Sequence, residues 1–394
     1  MKKHGPYRPP EKKHISIFFI VHADDRKRVA NKLAKYLKEG QGYFQGLPRY
    51  ANVPMQFMDD HIVFEDADNP LPEISSQLQT MPFKEEMQYL AIYLSPIHKD
   101  DPDPDKRTVY YRVKEELLKY QVSSQVIDRD NVSDDNFQYY LPNIAVAVLA
   151  KLGGIPWQLK HPPRRELIVG VGAFRPADKN QQYIGSAFCF SNGGTFRGFR
   201  CFSKKETRLL AGSIREAVRN YVKEVGELDR LIIHYYKKMS YREREPIVKM
   251  LHNLGLEDVT VVVVTINKTP SSDVLLFDRA YEGRMPLSGT YVRLDHHRLL
   301  LCNNTRYGQG KEPRHYPFPV KVKIESDERG FMHKDEKVQE IMQQVYQFSR
   351  IYWKSIAQQN LPVTIKYPEM VARMFPYFES DIIPHFGRHN LWFL

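Results

Sequence analysis

The sequence predicts an α/β protein of two domains, and three observations predict it. The chain has 394 residues, enough for two domains of ordinary size. Strand-like and helix-like segments alternate up to about residue 160, the pattern of an open α/β sheet. A Pro-rich break then precedes three closely spaced strand-like runs and a second alternating series. Apolar residues make up 42% and charged residues 27%, a folded composition.

Residues 1–13 are basic and Pro-rich and read as an irregular arm without the apolar run of a signal peptide. HISIFFIVHADD (14–25) is an apolar run bounded by charge, as in a buried parallel strand. Residues 25–40 then read as a helix closed by Gly40. YLAIYLSPI (89–97) is a second strand, and the acidic, turn-rich HKDDPDPDK (98–106) follows it. A helix at 108–121, a short strand at 124–128 and a helix at 141–154 complete the first domain, 1–160. The last of these has Pro142 near its start and glycines at its end.

The second domain, 161–394, opens after IPWQLKHPPRR, whose prolines mark a linker. ELIVGVGAFR, YIGSAFCFS and GTFRGFRCF are strands with short connections, which favour an antiparallel meander. A helix (206–225), a strand (230–236), a helix (243–254) and a strand (259–267) follow. RNase H-like folds have this order, and other mixed α/β folds allow it too. Hairpin-like strands at 288–294 and 297–304, a long helix near 334–356 and a helical region at 365–378 lead to the apolar terminus LWFL.

The formal net charge of +11 points to a polyanionic partner, nucleic acid before membrane. No stretch reaches the roughly 18 apolar residues of a membrane span. Cys189, Cys201 and Cys302 lack metal-site spacing and read as reduced thiols of a cytoplasmic protein.

One constellation suits a terminal phosphate. Tyr110 and Lys114 lie four apart and share a helix face. Gln125 sits on the next strand and Lys151 on the following helix, in AKLGGIPW. Lysines supply compact positive charge, and the Tyr hydroxyl and Gln amide supply neutral donors. A Tyr ring can also stack on a base.

With these residues the chain resembles the Argonaute family. Residues 1–160 resemble its Rossmann-like MID domain and 161–394 its RNase H-like PIWI domain. The arrangement is similar to the short prokaryotic members, which lack N and PAZ domains. The resemblance implies that Tyr110, Lys114, Gln125 and Lys151 hold the 5′-phosphate of a small guide. It implies guide RNA and target DNA, with guide DNA and target RNA as alternatives. A second family lysine position is Ala147 here. Lys268, Arg293 and Arg373 are further candidate nucleic-acid contacts. The resemblance also implies Mg²⁺ or Mn²⁺ bridging the phosphate, Gln125 and the C-terminal carboxylate of Leu394.

Slicing members hold two divalent ions with acidic side chains. The corresponding positions here are Gly172, Lys237 and Glu369, which predicts a chain without nuclease activity. Asp295, His296 and His297 diverge at a strand turn and are not expected to share a metal. By resemblance, output comes from an APAZ-domain partner bearing a TIR, Sir2-like or nuclease effector, in immunity against plasmids or phage. The resemblance extends to a heterodimer that assembles further on activation. An active guided nuclease and a non-guided scaffold are the competing readings.

Overall fold

The computed structural model describes every residue except 1–3, 99–100, 161, 163, 178–180, 192, 204–207, 268–273, 309–311, 314, 358 and 381. Two compact units emerge, and the first is discontinuous. It takes residues 1–157, 353–356 and 377–394, and the second takes 158–352 and 357–376. The contiguous division expected at 160/161 therefore leaves out two returning segments. The second is aromatic: Tyr377 stacks on Tyr111 at 4.7 Å, and Phe378 lies 5.4 Å from Trp392.

The first unit is built on a wholly parallel sheet. Its strands are β1 (Ile15–His22), β2 (Met55–Phe57), β3 (Ile62–Phe64), β4 (Gln88–Ser95) and β5 (Ser123–Asp128). The order is β2-β1-β4-β5, and β3 pairs with the far end of β1. β1 and β4 read as continuous apolar runs because both faces are buried. Their alternate side chains feed two cores, one around Ile17, Phe19 and Leu90, the other around Phe18, Ile20 and Tyr93.

Two helices of this unit carry the candidate site. Pro104–Lys119 starts where Asp103 accepts from the Asp105 amide at 2.9 Å, with Pro104 at its first position. Leu141–Lys151 has Pro142 in its first turn. It ends because Gly153 adopts φ +81°, which glycine tolerates without strain.

The second unit holds an eight-stranded mixed sheet. Its strands are β6 (Glu166–Phe174), β7 (Tyr183–Ser191), β8 (Phe196–Ser203), β9 (Arg230–Tyr235), β10 (Thr260–Ile266), β11 (Tyr291–Arg293), β12 (Arg298–Leu301) and β13 (Val320–Ser326). They lie in the order β11-β12-β13-β10-β9-β6-β7-β8. β6, β9 and β10 pair in parallel and the remaining neighbours antiparallel. The helix Asp335–Phe348 ends at Ser349, short of the expected 356. Ser349 is buried and its hydroxyl accepts from Asn303 Nδ2 at 2.9 Å, which ties it to the body of the unit.

Glycines let the helix Val363–Met374 press on this sheet. An added Cβ would stand 2.1 Å from the Thr364 carbonyl at Gly170 and 2.2 Å from the Pro368 carbonyl at Gly185. At Gly172 it would stand 2.7 Å from the Ile365 carbonyl and 2.8 Å from the Glu369 amide. No helix among the described residues is long and apolar enough to cross a membrane.

Candidate phosphate-binding site

Lys151, the last residue of its helix, is completely buried. Its Nζ donates to the Ser124 carbonyl and to Gln125 Oε1, both at 2.8 Å, so Lys151 and Gln125 meet on β5. The backbone end of the residue is held as well. Its carbonyl accepts from Asn390 Nδ2 at 2.6 Å and Ser123 Oγ at 3.2 Å.

Lys114 is 2% exposed on the helix Pro104–Lys119. Its Nζ donates to the Trp392 carbonyl at 3.2 Å and lies 5.4 Å from the centre of the Tyr110 ring, one turn back. Thus Tyr110, Lys114, Gln125 and Lys151 are all on the first unit, Lys151 hydrogen-bonded to Gln125 and Lys114 near the Tyr110 ring.

The electrostatics set this site apart. Burial, and then repulsion from Lys354, lowers the Lys114 ammonium to about 7. Burial, then Lys114 and Lys354, holds Lys151 well below its ordinary value. The three lysines therefore feel one another. Among the described residues, the bonds to the ammonium groups of Lys114 and Lys151 are to carbonyl and amide oxygens, with no carboxylate. Burying cations without counter-ions costs several kcal/mol each, a cost an arriving anion relieves. Burial also pushes the Tyr110 hydroxyl above its ordinary value, so it stays a neutral donor.

Lys354 and Asn390 were missed by sequence reasoning. Lys354 lies more than 200 positions from its neighbours in the site, on the returning segment 353–356. Asn143 anchors that segment, accepting from the Ile356 amide at 3.0 Å and Ser355 Oγ at 3.4 Å. Nothing in a lone Lys or Asn near the end of the chain signals either role.

Among the described residues, the other candidates form none of these bonds. Arg373 belongs to the second unit, with its guanidinium 5.0 Å from the centre of the Phe174 ring. Arg293 pairs with Asp335 at 3.2 Å. Lys268 lies outside the described residues. Leu394 is buried, 4% exposed. Gln125 Oε1 already accepts from the Lys151 ammonium.

Lys237, at one of the positions matched to slicing acids, is committed to a partner. Lys237 pairs with Glu243 at 2.9 Å, and Glu243 accepts from the Tyr235 hydroxyl at 2.8 Å. Burial alone would raise the Glu243 carboxyl, but bonds from the Ser240 backbone, Lys237, the Ser240 hydroxyl and Tyr235 prevail and hold it at about 2. Glu243 also closes a capping box with Ser240. Asp295 accepts from the His297 and Arg298 amides within its own turn.

Fold and site together define an α/β protein with a cluster of buried lysines. Residues 102–378 match the Piwi domain, and the chain belongs to the Piwi-domain family. It is 28% identical over 311 residues to a Piwi protein of Archaeoglobus fulgidus, covering 73% of this chain and 72% of that one. It is 25% identical over 329 residues to Protein argonaute of Cereibacter sphaeroides, covering 74% of this chain and 41% of that one. In fold it is similar to the crystal structure of Drosophila Piwi, with a TM-score of 0.72 and 15% identity. It is likewise similar to A. aeolicus Argonaute, with a TM-score of 0.62 and 18% identity. Both comparisons cover all of this chain, and the chain spans 53% and 52% of those two.

Proposed function

We propose that the first unit is a guide-binding MID domain and that Lys114, Lys151 and Lys354 receive the 5′-phosphate of a short guide, with Gln125 and Tyr110. The observation that carries this reading is the pair of buried lysines without a carboxylate partner among the described residues. A phosphate dianion supplies the missing charge, and Lys114 takes up a proton as it binds. Lys151 then turns part of its bonding from the Ser124 carbonyl to phosphate oxygen, while Asn390 and Ser123 fix its backbone. Tyr110 donates its hydroxyl and offers its ring to the first base. A divalent ion, which would screen phosphate charge, enters with the phosphate and not before it.

The chain pairs an RNA guide with a DNA target and does not cut. The filled space over Gly172 and the Lys237–Glu243 pair support the second part of that reading. Cutting or another effector output then falls to a separate APAZ-domain chain, as in the short prokaryotic Argonautes. Fluorescence binding of 5′-phosphorylated and 5′-hydroxyl guides at fixed salt tests the site, and equal affinities overturn it. Sequencing of copurified nucleic acid identifies the strands, and copurification with a neighbour-encoded protein tests the partnership.

A further inference from the structure

Residues 26–39, RKRVANKLAKYLKE, carry six cations, Arg26, Lys27, Arg28, Lys32, Lys35 and Lys38, and one acid, Glu39. They follow β1 as a π-helical turn, Arg26–Ala30, that runs into the α-helix Asn31–Glu39. One side is sealed: Ala30, Leu33 and Leu37 belong to the core with Phe19 and Leu90. All six cations are exposed. With 3.6 residues per turn, Lys32, Lys35 and Lys38 fall on the arc of the α-helix opposite Leu33 and Leu37, and Lys27 and Arg28 are exposed on the turn before it.

Among the described residues, none of the six is in an ion pair. The neighbouring acids are otherwise placed. Asp24 faces His22 at 3.6 Å, Asp25 faces Arg129 at 3.7 Å, and Glu39 is exposed at the helix end. From Lys27 to Lys38 the face runs roughly 16 Å at about 1.5 Å per residue. Cations this dense repel one another and attract a regular polyanion.

We propose that this helix face binds the phosphate backbone of double-stranded nucleic acid without reading its sequence. A duplex offers one phosphate per about 1.7 Å of axis, so several cations find partners along the face. A membrane surface fits less well, because an interfacial helix needs a free apolar face and this one is spent in the core. A protein partner fits less well too, since its anchors are aromatic or apolar and the arc holds only Asn31, Glu39 and cations. The face shares no residue with the buried lysine site, so the inference stands apart from the proposal above.

The test uses the full chain and a DNA duplex with 5′-hydroxyl ends, which leaves the phosphate site unengaged. Anisotropy titrations across a salt series compare the parent with Lys32→Gln/Lys35→Gln/Lys38→Gln. The slope of log K against log salt should become shallower by about 2 to 3, and affinity at low salt should fall at least about tenfold. Lys27→Gln/Arg28→Gln should give a proportionally smaller change. Both variants should melt like the parent and keep its preference for 5′-phosphorylated single strands. Unchanged slope and affinity in the triple variant would overturn the inference. So would a parent chain that ignores the duplex at low salt, or that binds phosphatidylserine-containing vesicles in its place.

Discussion

Lys114→Met separates the stability of the site from its use. Methionine keeps the unbranched apolar stem and removes the ammonium. In the folded chain burial and Lys354 place that ammonium at about 7, against 10.5 ordinarily. Between those two values the unfolded chain binds one more proton at this residue than the folded chain does. Stability therefore rises with pH across that window, by about 1.4 kcal/mol per pH unit for a single proton. From pH 7.5 to 9 the parent should gain about 2 kcal/mol from Lys114 that the Met variant does not gain. Lys151 is present in both proteins, and its own charging eases once the Lys114 charge is gone. Losing the bond to the Trp392 carbonyl costs about 1 kcal/mol, and it offsets the variant's gain without changing the pH slope. Urea unfolding at both pH values, at fixed salt, reads the difference directly. Parallel pH dependence in the two proteins would refute the reasoning. The same variant should bind 5′-phosphorylated guides less selectively, so stability and selectivity should move in opposite directions at neutral pH.

Selectivity for the 5′-phosphate should weaken as pH rises from 7 to 9, because binding requires Lys114 to gain a proton that the free chain has lost; a phosphate-to-hydroxyl affinity ratio flat across that range would contradict this. Gly172→Asp should destabilise by more than about 3 kcal/mol, since even a Cβ meets helix backbone at 2.7 Å and a charge must be buried. A Gly172→Asp chain with parental urea stability would show that the helix yields. Mn²⁺ should not bind at Gln125 in the guide-free chain; an electron paramagnetic resonance titration showing a bound ion that Gln125→Ala abolishes would show otherwise.

The legible parts of the fold are those where one local signal suffices. β1 and β4 announce themselves as long apolar runs, and the glycines after Lys151 mark a helix end. The three strands, helix, strand, helix, strand order of the second unit is found as expected. Residues 41–88 gave no such signal: β2 and β3 are three residues long, and the helix Leu71–Thr80 is separated from both by loops. β13 alternates valine with lysine in VKVKIES, and its lysines mask a strand that has buried neighbours on both sides. At the site, the spacing of Tyr110 and Lys114 is local and could be read, as could Gln125 and Lys151 by resemblance. Lys354 and Asn390 reach the same unit only through long-range folding, and their residue types are ordinary at a surface.

Two cationic features thus answer different physical variables. On the proposed function the buried lysines would meet a phosphate away from bulk water, so salt would screen that contact weakly, while their suppressed charging would make it depend on pH. The helix face from Arg26 to Lys38 is exposed, so salt screens it strongly. A pH series at constant salt therefore reports on the pocket, and a salt series at constant pH reports on the face. If guide end and duplex bind through these separate surfaces, Lys114→Met should flatten only the first response and the triple Gln variant only the second. A single variant that abolished both would mean that the two surfaces act as one.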